Sequence, residues 1–172
     1  FLGHESKHHN SNEYYPMLAK ALGRDAIYFD YVTSVGAALD DADYLGRFDA
    51  LLLYANHPRL TATQWKNLQG YIRDGGGFVP VHCASWCFSN VPEFDQLVGG
   101  RFKSHKTGTF TARIIKAKHP ALGGVKEFDA WDETYFHNKH NEKNRTVLMV
   151  RDAMKGDPHT EPEPWTWVRT EG

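Results

Sequence analysis

Histidines carry most of the chemistry this sequence can offer, and they fall where the chain changes character. His4 follows the apolar Phe1-Leu2-Gly3, with His8 and His9 just beyond. Asn56-His57 closes the apolar run of residues 48–55, and His82-Cys83 closes that of residues 78–82. Imidazole ligates borderline metals such as zinc and exchanges protons near neutral pH. A histidine that ends an apolar strand, as His82 does, is expected to be largely buried and to need a partner or a task. For His4, His8 and His57 a solvated loop position is the plainer expectation. Farther along, Gly99-Gly100-Arg101 leads to His105, and Asp132-Glu133-Thr134-Tyr135 adds carboxylates and a phenol. Paired glycines permit a tight turn or a close ligand approach, and the carboxylates suit metal binding or general-base work. Arg101 reads equally as a surface ion-pair partner and as a substrate clamp. Cys83, just after a strand and entering a helix, has the placement of a nucleophile elbow, where a helix N-terminus favours the thiolate. Ala84 and Ser85 stand where such a corner needs glycine, so a buried, inert thiol is the better expectation.

The elements that must position these groups alternate through the first half. Phe1-Leu2-Gly3 reads as the tail of a strand, residues 11–22 as a helix capped by Ser11 or Asn12 with Pro16 near its start, and residues 26–32 as a second strand. Residues 35–45 are weakly helical, and residues 48–55 read as a strand buried on both faces. Thr61 and Gln64 have capping-box spacing ahead of a helix over residues 64–73, and residues 78–82 form a fourth buried strand. Strand, helix, strand in this succession predicts a parallel sheet with helices on both faces, whose ligands bind beyond the carboxyl ends of the strands. Three of those strand ends deliver imidazoles to one edge. The second half differs. Residues 92–98 suggest a short helix, residues 107–117 alternate as a half-exposed strand, and residues 146–150 form another strand. Residues 128–141 are rich in aromatics and histidines without clear periodicity.

Composition narrows the functional classes. At 172 residues, with 41% hydrophobic and 24% charged residues, the chain is one domain's worth of ordinary globular sequence. A formal net charge of −1, with acids and bases interspersed, offers no basic stripe for nucleic acid. No apolar run is long enough for a membrane span. Both ends read as cut inside strands, so a fragment of a longer chain is expected. The two cysteines, Cys83 and Cys87, match neither a CxxC motif nor a disulfide framework.

Taken together, several segments resemble the ThuA-like (trehalose utilisation) family of the class I glutamine amidotransferase-like superfamily. They are the opening Phe1-Leu2-Gly3-His4 with His9-Asn10-Ser11, Tyr71-Ile72-Arg73-Asp74-Gly75-Gly76-Gly77-Phe78-Val79, and Val81-His82. Others are Leu97-Val98-Gly99-Gly100-Arg101-Phe102 with His105, His119-Pro120, Asp132-Glu133-Thr134-Tyr135, and Pro164-Trp165-Thr166-Trp167. The resemblance implies an α/β, flavodoxin-like three-layer sandwich with a mostly parallel sheet, residues 1–172 forming one domain shortened at its C-terminal end. It implies bacterial carbohydrate metabolism of trehalose or 3-keto-sugars, in the cytoplasm or periplasm, with further domains covalently linked in some relatives. His82, His105 and Glu133 are the expected catalytic groups of a sugar-processing isomerase, hydrolase or lyase rather than an amidotransferase. Arg101, Tyr135, Asn56 and Trp86 are the expected sugar contacts, and His9, His82, His105 and Glu133 the expected ligands of a divalent metal such as zinc. Acid–base chemistry without a metal is the other route, and a non-catalytic sugar-binding or docking module is the alternative to an enzyme.

Overall fold

Leu2 is the residue around which the first half of the chain is organised, because its backbone bridges two neighbouring segments at once. It pairs in the parallel sense with both Val32 and Leu53. The computed structural model describes residues 1–171, which divide into two compact units, Phe1–Val98 and Gly99–Glu171. In the first unit, β1 (Ala50–Leu53) pairs in parallel with β2 (Gly77–Pro80), Leu51 opposite Phe78 and Leu53 opposite Pro80. The parallel order is therefore Val32, Leu2, β1, β2. Leu2, Leu51 and Leu53 are buried, as apolar side chains of paired strands must be.

Helices in this unit start where side chains can satisfy the first N–H groups. Asn10 caps a single 3-10 turn, Ser11–Glu13, which leads into α1 (Tyr15–Gly23) with Pro16 in its first turn. Ser34 caps α2 (Val35–Leu39), and Asp41 caps α3 (Ala42–Leu45) by accepting from two backbone N–H groups. The capping box of Thr61 and Gln64 is formed in both directions and opens α4 (Ala62–Arg73), so that helix begins just after Thr61. Gln64 Nε2 also donates to Asp40 Oδ1 at 2.7 Å, tying α4 to the end of α2. The unit closes with α5 (Pro92–Val98), anchored by fully buried Phe94.

Three strand expectations need correction. Residues 26–32 form no continuous ladder: only Val32 is bridged, Ala26 lies in the left-handed region (φ 59°), and Tyr28 is 82% exposed. That segment lies at the margin of the parallel set, where nothing pairs with its outer edge among the described residues. Residues 48–55 are not buried on both faces, since Leu51 and Leu53 are buried while Leu52 and Tyr54 are half-buried. β2 is the opposite margin of the set, and Val79 and Val81 are exposed.

The second unit is a separate four-stranded antiparallel sheet in the order β4-β3-β5-β6. Its strands are β3 (Arg101–Ile114), β4 (Phe128–Asn138), β5 (Arg145–Arg151) and β6 (Glu163–Arg169). A mostly parallel sheet thus describes only the first unit. Phe110, Ala112, Leu122, Leu148 and Met149 form the core of the second, with Trp165 and Val168 packed against it. The period of two in β4 was hidden because Thr134, Tyr135 and Phe136 are buried in succession, so burial on both faces erases the alternation. Among the described residues, no helix is long and apolar enough to cross a membrane.

Candidate functional site

In the first unit the strand ends do bring imidazoles together, as two pairs. His4, after Gly3, stacks on His57, after β1, with ring centroids 3.9 Å apart. His4 Nδ1 donates to Asn56 Oδ1 at 2.6 Å, and His57 Nε2 donates to the Gly3 carbonyl at 3.0 Å. Burial lowers the pKa of His57 below the usual imidazole value, and the neighbouring charge of His4 pushes the same way, against the pull of the Gly3 and Thr33 carbonyls. Asn56, expected to touch substrate, is here engaged in orienting His4.

The second pair is His9 and His82, with ring centroids 5.0 Å apart and nearly perpendicular. Tyr54 lies 6.2 Å from each of these rings, stacked over His82 and edge-on to His9. Ser6 holds the His9 loop by bonding both its N–H and its carbonyl. His82 is half-buried rather than largely buried, and its φ is 52°. A histidine in this conformation is strained and over-determined by its surroundings, which is common at functional corners. The strand-to-helix corner therefore presents His82. Cys83, the next residue, is 1% exposed, and Cys87 Sγ bonds the Ala55 carbonyl at 2.9 Å, so both thiols are interior groups. Trp86, at the end of the 3-10 turn His82–Trp86, is 40% exposed; His8 is exposed in its loop.

In the second unit the site residues are ordered by strand register. His105 pairs with Tyr135 and Thr107 with Glu133, so His105 and Glu133 are diagonal neighbours on one face of the β3–β4 ribbon. His105 Nε2 lies 3.6 Å from Glu133 Oε1, with both side chains about one-third exposed (38% and 31%). His105 Nδ1 faces the Lys106 carbonyl at 3.3 Å, and Nε2 is turned to the carboxylate. The register shifts between Phe102 and Ser104. This bulge at Lys103 lets Phe102 and His105 both pack on Tyr135, with centroids 4.4 Å and 5.8 Å away. Tyr135 itself is buried, a support beneath His105 more than an exposed contact. Arg101 opens β3 opposite Asn138, half-buried. Gly99 has φ 95°, and a Cβ there would meet Arg169 Cδ and Trp167 Nε1 at 3.0 Å, so the turn before Arg101 needs glycine.

Sequence reasoning missed a cluster around the buried Glu163 in this unit. Glu163 accepts from His137 Nδ1 (3.1 Å), from the His137 backbone N–H (3.0 Å) and from His159 Nε2 (3.2 Å). Burial would raise the pKa of Glu163, but the His137 bonds and the charges of His137 and His140 outweigh it and hold the carboxyl below its usual value. Arg151 and Asp157 form a second interior pair at 2.8 Å, with the guanidinium 4.9 Å from the Phe136 ring centroid. His137 on β4 and Glu163 on β6 meet only on folding, so no local spacing signals that pair.

The family model described as ThuA, trehalose utilisation, matches residues 1–172. The chain belongs to the ThuA family. Two solved ThuA-like proteins share its fold. One, from Parabacteroides merdae, superposes with a TM-score of 0.80 at 18% identity, covering 99% of this chain and 74% of the other. The other, from Bacteroides uniformis, has a TM-score of 0.77 at 18% identity, covering 92% and 70%. No curated protein matches the sequence. At that identity the ThuA neighbours speak to the fold, and the chemistry rests on this chain's own side chains.

The stacked histidine pair gives a pH prediction. His57 has a native pKa below its unfolded value, so the unfolded ThuA chain takes up its proton first. Stability is full above about pH 6.5 and is lost as pH falls through that value toward the native pKa. Urea midpoints measured from pH 7.5 to 5 are expected to fall less steeply for His57→Gln than for the parent; equal slopes would rule out the assigned role.

Proposed function

We propose that this ThuA-family chain processes a carbohydrate of the trehalose or 3-keto-sugar class, with His105 and Glu133 as its acid–base pair. The observation that carries the reading is the 3.6 Å approach of an imidazole nitrogen to a carboxylate oxygen, on side chains each about one-third exposed, across the β3–β4 ribbon. A pair so spaced can address two neighbouring atoms of a keto-sugar. Glu133 takes the proton from the carbon beside the ketone, and protonated His105 gives its Nε2 proton to the carbonyl oxygen, yielding an enediol. Returning the proton to either carbon completes an isomerisation. A buried Cys83 favours this over amidotransferase chemistry. The parallel order of Val32, Leu2, β1 and β2 supports reading the first unit in flavodoxin-like, class I glutamine amidotransferase-like terms.

Half-buried His9 and His82 are nitrogen donors of the kind zinc prefers, and their adjacency fits a divalent ion. When bound, such an ion supplies Lewis acidity toward a carbonyl oxygen.

Two measurements test these assignments. With a 3-keto-glucoside in heavy water, NMR is expected to show deuterium entering beside the ketone, slowed by roughly 10²–10⁴-fold in Glu133→Gln with sugar binding retained. An unaltered rate removes Glu133 as the base, and binding without exchange in the parent favours a sugar-binding module. Elemental analysis of the parent is expected to find a stoichiometric divalent metal that His82→Ala loses; a metal-free parent refutes the metal assignment.

A further inference from the structure

Beyond His105 and Glu133, the same face of the β3–β4 ribbon continues for two more residue pairs. Thr109 stands opposite Trp131 and Thr111 opposite Asp129, while Thr107 stands opposite Glu133. Directly paired residues of antiparallel strands share a face, so these six side chains form one surface in the second unit. The indole of Trp131 is 74% exposed. On its own strand it is flanked by carboxylates two residues away on either side, about 7 Å along the chain in each direction. Across the ribbon it is flanked by three threonine hydroxyls. Thr111 Oγ1 donates to Asp129 Oδ1 at 2.6 Å, which fixes the direction of that carboxylate.

We infer that this face is a platform for a carbohydrate of at least two rings, with one ring at His105 and Glu133 and the next stacked on Trp131. The inference rests on the carbohydrate reading proposed above and names the size of the substrate. A pyranose has an apolar C–H face and a rim of hydroxyls. The ribbon offers the complement: a flat aromatic surface bordered by carboxylate and hydroxyl oxygens. Other partners fit less well. Asp129 and Glu133 would repel a phosphate backbone. A protein hot spot surrounds its anchor with further apolar residues, whereas the neighbours of Trp131 on this face are polar.

Calorimetric titration with trehalose and with glucose tests the platform. The parent is expected to bind trehalose more tightly. Trp131→Ala is expected to lose about tenfold in trehalose affinity and most of the preference over glucose, with Trp131→Phe largely restoring both. Tyr28→Ala, an equally exposed aromatic of the first unit, controls for a general surface effect. Because Trp131 is exposed, the variant keeps its core, which circular dichroism verifies. A preference unchanged in Trp131→Ala, with Glu133→Gln still slowing exchange, overturns the platform alone. A parent that binds neither sugar overturns the platform and the carbohydrate reading together.

Discussion

Pairing between Arg101–Ile114 and Phe128–Asn138 decides which side chains of the second unit can act together. Side chains alternate between the two faces of a strand, so a slip of β4 by one residue would send Glu133 and Trp131 to the face opposite His105. Two features pin the register. Phe110 and Ala112 are buried against Leu148 and Met149, which locks the inward face at one end. At the other end the bulge at Lys103 returns Phe102 to the face of His105, where both rings close on Tyr135. The approach of His105 to Glu133, which we propose as an acid–base pair, is therefore a product of core packing several residues away.

Burial of charge elsewhere in the unit serves the same ribbon. Glu163 reaches across from β6 to the ring and backbone of His137 on β4, and Arg151 on β5 lies against Phe136. Such interior ionic groups are weak sources of net stability, but removing one partner leaves an uncompensated charge. Their effect here is to fasten the end of β4 to β5 and β6.

Much of this was legible in the sequence, and the illegible part has physical reasons. The parallel strands near residues 50–53 and 77–80, the capping box at Thr61 and the strand-end histidines follow from local patterns, whereas the strands expected at residues 1–3 and 26–32 are reduced to single bridges at Leu2 and Val32. The pairing of His105 with Glu133 could be suspected only from family resemblance, since their adjacency depends on a register set by nonlocal contacts. The His137, Glu163 and His159 cluster carried no signal, because its members come from two strands and a loop joined by folding. His82 was expected in the interior. It is half-buried instead, on a left-handed backbone that spacing does not disclose.

The most direct test of the account is chemical-shift mapping by solution NMR during titration with trehalose. The largest, saturating shifts are expected at the Trp131 indole N–H, at the His105 ring and in the backbone of Thr107, Thr109 and Glu133. Saturating shifts confined to residues off this ribbon face, or no saturable shifts at all, would contradict it.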